Sequence, residues 1–411
     1  MKTASRWLLP LAMALFAVVS CGKEPEGGSD VPDESEIIIC NGGATDYVLV
    51  YQDAVSSAAS ELVKAFSAKA AVSMPSGKSS TASVKPLEIL LGSTGREETE
   101  QVLSEIGAAG YAIETVGRKF VIVATDDALL ARALYDFQSS ILKNAVYNKS
   151  GTINLKTGFR KVMKNVKTTF RDCIESGWTF SVQTTAVGNC PAIGSCSVAQ
   201  GACSDGKFVY FVLCNSGDTE AVICKYTLSP FAFIASSDVF NGGHCNDLAF
   251  DTAGNRIILA HGQTQGKILT PIDASTLKVG TDFNITVGSG AITYCSSRAK
   301  YAISQGGSTL HFADASFNVL SSNTRTDSTG YTAQGMGSDD AYIYFPMSGS
   351  GDNVLVTYNW DAKYVTTITV SVAMESESMF CVNDDYYICF YKSGSGAVLH
   401  KMTPVPQYIY K

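Results

Sequence analysis

His244-Cys245-Asn246-Asp247 sets an imidazole, a thiol, an amide and a carboxylate in four consecutive positions of an otherwise apolar turn-to-strand passage, in a chain with only four histidines. Met374-Glu375-Ser376-Glu377-Ser378 adds two carboxylates in a second such passage. A histidine beside carboxylates has the composition of a general acid–base pair. Two carboxylates about 5 to 10 Å apart hydrolyse glycosidic bonds. Carboxylates with amide oxygens also bind Ca²⁺. The same Gln, Asn, Asp and His side chains hydrogen-bond sugar hydroxyls, with Tyr rings as stacking platforms. Against all these stands a structural use, because Asn and Asp side chains satisfy backbone amides at turns and strand starts.

The element that must position these residues is written as a repeat. Ala199-Gln200-Gly201, Ser204-Asp205 and Val209-Tyr210-Phe211 recur as Ala333-Gln334-Gly335, Ser338-Asp339 and Ile343-Tyr344-Phe345, offset by 334 − 200 = 134 residues. One third of this offset is close to the length of a four-stranded propeller blade, about 45 residues. Aligning blades on the first inner strand matches Val209–Phe211 with Ile257–Leu259, Tyr301–Ile303, Ile343–Phe345 and Tyr387–Cys389. Residues 176–411 are therefore expected to form a β-propeller of about five blades, with six as the alternative. Trp178 to Thr184 is expected to supply the last blade's outer strand and close the ring.

In a propeller the inner strands begin around one mouth of the channel, so aligned positions converge though far apart in sequence. Gln200, Asn246, Ile292, Gln334 and Ser378 align in this way, with steps of 46, 46, 42 and 44. The expected ligand-binding set at the mouth is Gln200, His244, Asn246, Tyr294, Gln334, Glu375 and Glu377. The expected catalytic set is His244, Asp247 and Glu377. Arg298 lies nearby in sequence but is expected to point elsewhere. Ser204, Asp205, Asp251, Ser338 and Asp339 precede hairpin turns and are expected to do turn work.

Residues 43–157 alternate strand and helix patterns and read as a small α/β (α+β) domain. Tyr47–Tyr51 and Leu87–Gly92 read as strands, and Ser56–Ala70 as a helix with Leu62, Val63 and Phe66 at helical spacing. Thr94-Gly95-Arg96-Glu97 fits a capping box. Gly117-Arg118 signals a hairpin, and Asp126 an N-cap. Glu88-Ile89-Leu90-Leu91-Gly92-Ser93-Thr94-Gly95-Arg96, then Tyr111–Glu114, Phe120–Ala124 and Ala131–Phe137, resemble in order the accessory N-terminal domain of family 20 hexosaminidases and α-glucuronidases. The resemblance covers roughly residues 45 to 145. It implies association with glycans; the family's catalytic barrel does not follow here, so no catalytic residue carries over. Lys156, Arg160, Lys161, Lys164, Lys167 and Arg171 read as a solvated basic linker, residues 158–175, with a patch for anionic glycan as the sharper alternative.

Lys2 and Arg6 precede an apolar run from Trp7 to Val19 that ends in Val18-Val19-Ser20-Cys21. This has the plan of an export signal, residues 1–20. Small residues before Cys21 resemble the lipobox of bacterial lipoproteins, which implies acylation of Cys21. Residues 21–42, rich in Gly, Pro and acidic residues, read as a tether. Lys23 before acidic residues resembles the surface-export signal of lipoproteins in glycan-degrading gut bacteria, which implies an outer-membrane protein facing the exterior, beside uptake proteins. The net charge of −7 argues against nucleic acid as a partner. Twelve cysteines show no metal-ligand spacing. Cys190 and Cys196 are close enough to bridge a loop. Ser76-Gly77-Lys78-Ser79 imitates the end of a P-loop, but Val72 stands where the motif needs Gly.

Three functional readings follow. The first is recognition or handling of extracellular oligo- or polysaccharide through the propeller mouth. The second is a glycoside hydrolase or polysaccharide lyase using the catalytic set. The third is a protein-interaction scaffold. No cofactor is implied; a structural Ca²⁺ is compatible with the mouth carboxylates.

Overall fold

The computed structural model describes residues 36–142, 146–147, 152–175, 177, 179–262, 265–305, 309–325, 330–349 and 351–407. The expected export signal, Cys21 and Trp178 lie outside the described residues.

The N-terminal unit is an α/β layer structure. Its six-stranded sheet runs in the order Ser76–Lys78, Val48–Tyr51, Glu88–Leu91, Lys119–Ala124, Gly110–Val116, Arg160–Lys164. The first four strands pair in parallel and the last two antiparallel. Strands buried on both faces read as continuous apolar runs, and Ile89-Leu90-Leu91 shows why. Ile89 and Leu91 face helices Ser56–Ala70 and Asp127–Asp136, whereas Leu90 meets Val102 and Ile106 of helix Glu97–Ile106. Asp126 caps its helix by accepting from Leu129 N at 2.8 Å. The capping box does not form: Arg96 occupies the N-cap position, and the Thr94 hydroxyl meets that of Thr99 at 3.1 Å.

Two segments read as connectors are structured. Residues 36–40, taken as the end of the tether, pair antiparallel with Ile153–Lys156. Within the expected linker, Arg160–Lys164 is an edge strand and Phe170–Glu175 a short helix. Three of its basic residues are ion-paired. Arg160 Nε bonds Glu114 at 2.7 Å, Lys161 Nζ bonds Asp136 at 2.7 Å, and Lys167 Nζ bonds Asp385 at 2.9 Å.

Five four-stranded sheets make the propeller. Blade 1 is Val198–Ser204, Phe208–Cys214, Ala221–Thr227 and Ala232–Ser236. Blade 2 is Asp247–Asp251, Arg256–Ala260, Ile268–Asp273 and Phe283–Asn284. Blade 3 is Ala291–Cys295, Lys300–Ser304, Thr309–Ala313 and Val319–Thr324. Blade 4 opens on a strand broken into Thr332–Ala333 and Gly337–Ser338, then Tyr342–Ser348, Asn353–Asn359 and Tyr364–Val370. Blade 5 is Glu375–Val382, Asp385–Tyr391 and Ala397–Gln407, completed on its outer edge by Thr179–Cys190. That last pairing closes the ring, and closure shields sheet edges that would otherwise template association. The first strands of adjacent blades touch one another, so they line the axis. The strands aligned from sequence as innermost are therefore the second strand of each blade.

The 134-residue repeat is physically the same turn made twice. Asp205 Oδ1 accepts from Lys207 N at 2.8 Å and Phe208 N at 2.6 Å, and its Oδ2 accepts from the Tyr210 hydroxyl at 2.8 Å. Asp339 does the same with Ala341 N at 2.8 Å, Tyr342 N at 2.7 Å and Tyr344 at 2.7 Å. Asp339 also takes the Tyr386 hydroxyl at 2.7 Å, which links blades 4 and 5. Phe170 wedges into this corner, fully buried, with its ring 5.8 Å from Phe180 and 4.7 Å from Tyr386. Phe170→Ala removes a ring that bridges the short helix, the closing strand and two blades. It is expected to cost about 3–5 kcal/mol in chemical denaturation; a loss below about 1 kcal/mol would contradict this packing role.

Candidate functional site

The aligned positions do converge, and Asp247 is the point on which they converge. Its carboxyl is fully buried. Oδ2 accepts from Ile292 N of blade 3 at 2.9 Å and from Met336 N of blade 4 at 3.0 Å. Oδ1 accepts from Leu248 N of blade 2 at 2.9 Å and lies 2.7 Å from Ser378 Oγ of blade 5. Ser378 Oγ is 3.1 Å from the carbonyl of Ala202 in blade 1. One side chain thus bonds to four blades directly and to the fifth through Ser378. Beside it, Asn246 Nδ2 donates to the carbonyls of Gly290 and Gln334, each at 2.6 Å.

The glycines of the twin Ala-Gln-Gly segments make room for this hub. A Cβ on Gly201 would stand 2.7 Å from Asp247 Cα, and one on Gly335 would stand 2.9 Å from Asp247 Cγ. Cys245, in the left-handed region at φ 44°, turns the chain so that Asn246 and Asp247 both meet the axis. The innermost strands of blades 1 and 5 also carry a bulge here, at Gln200 and Glu377. Bulges re-aim side chains where a ladder must bend.

The Ser378 hydroxyl donates to Asp247 Oδ1 at 2.7 Å, and the carbonyl of Ala202 lies 3.1 Å from the same hydroxyl oxygen. Burial pushes the Asp247 carboxyl up to about 8, against the opposing pull of hydrogen bonds from Ile292, Ser378, Met336 and Leu248. Glu377, 2% exposed, is also pushed up by burial and then by the neighbouring Glu375 charge.

The expected acid–base set is not assembled. Asp247 is enclosed by the strands that it binds and cannot touch a substrate. His244 Nδ1 is held by Asp218 at 3.1 Å, between blades 1 and 2. Among the described residues no hydrogen bond or ion pair joins it to Asp247 or Glu377. Glu377 and Gln200 are buried in their bulges. Tyr294 lies near the far end of its strand and packs on Tyr301, centroids 4.7 Å apart, so it leaves the mouth set. Arg298 points elsewhere as expected, donating to the Asp340 carbonyl at 2.7 Å and lying over Trp360. The Cys190 thiol lies against Cys224 and Tyr226, not Cys196. Among the described residues no group of three or more His, Cys, Asp or Glu is placed to hold a metal ion.

Two of the expected ligand residues, Gln334 and Glu375, share a cleft. Gln334 and Glu375 line an opening of about 600 Å³ between blades 4 and 5, together with Thr332, Ser348, Asp352 and Met374. Gln334 Nε2 donates to Glu375 Oε1. The Tyr331 hydroxyl donates to Asp352, 2.9 Å from Oδ1 and 3.0 Å from Oδ2, and its ring covers Gly349. The floor is rigid: buried Asn353 Nδ2 donates to the carbonyls of Val372 at 2.7 Å and Met374 at 2.9 Å. Ser348 Oγ donates to Asn353 Oδ1 at 2.7 Å and accepts from Ser376 N at 2.7 Å. Sequence reasoning missed Asp352, Ser348 and Tyr331. The Gly- and Ser-rich run Ser348-Gly349-Ser350-Gly351-Asp352, a turn signal in the same repeat as aligned Gln334, was the available signal.

No protein-family model and no curated protein sequence matches the chain. Among solved structures it is similar to the glutaminyl cyclase of Myxococcus xanthus, 12% identical with a TM-score of 0.41, over 55% of this chain and 99% of that one. It is similar to virginiamycin B lyase from Staphylococcus aureus, 10% identical, TM-score 0.32, again over 55% and 99%. A Bacteroides caccae protein of unknown function is 11% identical, TM-score 0.32, over 47% and 75%. These similarities add no argument about chemistry; the propeller rests on its own five sheets.

The raised pKa of Asp247 gives its contribution to stability a sign. Its folded pKa lies above the unfolded value of about 4, so its contribution to stability is complete below pH 4 and is lost as pH rises through about 8. Asp247→Asn keeps an acceptor toward Ile292 and Met336 and loses only the one toward Leu248, so it should fold and flatten this pH dependence in urea titrations. Asp247→Ala strands three buried amides at about 1–3 kcal/mol each, two more than the Asn variant, and should be less stable than it by at least about 2 kcal/mol. Equal stabilities of the two variants would sink the hub.

Proposed function

We propose that this protein recognises extracellular glycan at the cell surface, and that the cleft between blades 4 and 5 is where it does so. A closed five-bladed ring is a rigid platform suited to binding, which is what the architecture supports by itself. The observation that carries the finer reading is the cleft: an amide, two carboxylates and two hydroxyls around about 600 Å³ of space. Sugar hydroxyls demand such convergent polar groups on a pre-formed floor, and the Tyr331 ring is close at hand. The resemblance of residues 45–145 to an accessory domain of glycan-degrading enzymes supports the same reading, as does the export signal ending at Cys21.

Glycan-array screening of the purified chain tests the proposal. Hits should weaken roughly tenfold with Gln334→Ala or Glu375→Gln, because each change leaves a ligand hydroxyl unpaired. His244→Ala, on the opposite side of the ring, should leave them unchanged. Binding lost through His244 and kept through Gln334 would move the site elsewhere.

The anchoring half of the proposal is checked separately. Labelled palmitate should enter the wild-type chain in bacteria and not the Cys21→Ser chain, which should partition with the soluble fraction. Unlabelled wild-type protein would refute lipidation.

A further inference from the structure

The hydrogen-bonding capacity left over in the cleft is lopsided. Ser348 is spent on Asn353 and Ser376. Gln334 spends a donor on Glu375. Tyr331 gives its only hydrogen to Asp352. Ionised carboxylates accept at about four lone-pair sites each and donate at none, so Asp352 and Glu375 retain most of their acceptor capacity. Among the described residues the lining contains no Lys, Arg or His to balance them. Donation by Tyr331 to Asp352 pushes the phenol pKa up, as an anionic acceptor does. Just beneath, the Glu375 charge adds to burial in pushing Glu377 up, so its field reaches into the protein.

A ligand for such a cleft must bring donors and must not bring negative charge. We infer that the cleft between blades 4 and 5 selects saccharides bearing free amino groups, with ammonium meeting Asp352 and Glu375, and rejects uronates and sulfated sugars. This rests on the glycan-binding reading above and adds the sign of the charge. Ammonium–carboxylate hydrogen bonds are roughly twice as strong as neutral ones. Anionic sugars would instead meet like charge, which costs affinity as well as on-rate.

Calorimetric titration of the full-length chain with matched oligomers decides it. The probes are a β-1,4-glucosamine tetramer, its fully N-acetylated form, a tetragalacturonate, and spermidine as a cation without a sugar. The glucosamine tetramer should bind at least about tenfold tighter than the acetylated one, with an advantage that shrinks in high salt. Tetragalacturonate should not bind. The Asp352→Asn/Glu375→Gln double variant should bring the glucosamine and acetylated tetramers to equal affinity, and an unchanged melting temperature would show that the fold is intact. Galacturonate binding as tightly as glucosamine, or a preference that survives the double variant, overturns the charge selection while leaving glycan binding standing. Spermidine bound through Asp352 and Glu375 without any sugar binding would overturn the glycan reading and keep the cation preference. Binding of no probe would overturn both.

Discussion

A single buried carboxyl organises this propeller. Five sheets arranged around an axis present a packing problem, because their first strands bring backbone amides and carbonyls to a place with little room for water. Orphaned buried amides are expensive. Asp247 meets those of Leu248, Ile292 and Met336, and accepts from Ser378, whose hydroxyl also reaches the carbonyl of Ala202. Everything else near the axis is fitted around it: glycines at 201 and 335, a left-handed Cys245, and bulges at Gln200 and Glu377.

Much of the ring was legible in the sequence, because the repeat records real turn chemistry. Asp205 with Tyr210 and Asp339 with Tyr344 form the same three bonds 134 residues apart. What the repeat could not say was which strand of a blade faces the axis. The most apolar strand, such as Val209-Tyr210-Phe211, looks innermost, yet it is second, sandwiched between neighbours in its own sheet and between blades. The first strand has less apolar side chain to offer because it meets other backbones. Local signals failed where tertiary context decided. Thr94 had the spacing of a capping box but spends its hydroxyl on Thr99 and the Arg96 amide. The basic residues at 160–171 looked like a solvated run because their acidic partners, Glu114, Asp136 and Asp385, lie far away in sequence.

The site was legible by halves. Alignment brought Gln334 and Glu375 together, and they do meet. It also promoted Asp247 and Glu377, since a carboxylate on an apolar strand looks the same whether it faces a substrate or a sealed axis. Burial, which sequence does not reveal, separates the two cases. Tyr294 failed for a geometric reason: a strand rises about 3.3 Å per residue, so three residues beyond Ala291 already lie about 10 Å from the mouth.

The closing strand has a consequence for the order of biosynthesis. Thr179–Cys190 emerges from the ribosome before any other propeller strand, yet its partner, Ala397–Gln407, is made some two hundred residues later. Until then the early strand has a row of unpaired amides and blade 1 has no neighbour on one side. Long-range pairing of this kind slows folding and prolongs exposure of sticky edges. The N-terminal α/β unit, by contrast, is complete once Arg160–Lys164 has been made. A half-made chain is therefore a finished small domain trailing an unfinished ring. For such a molecule, escorting the nascent strand matters more than the speed of any single blade.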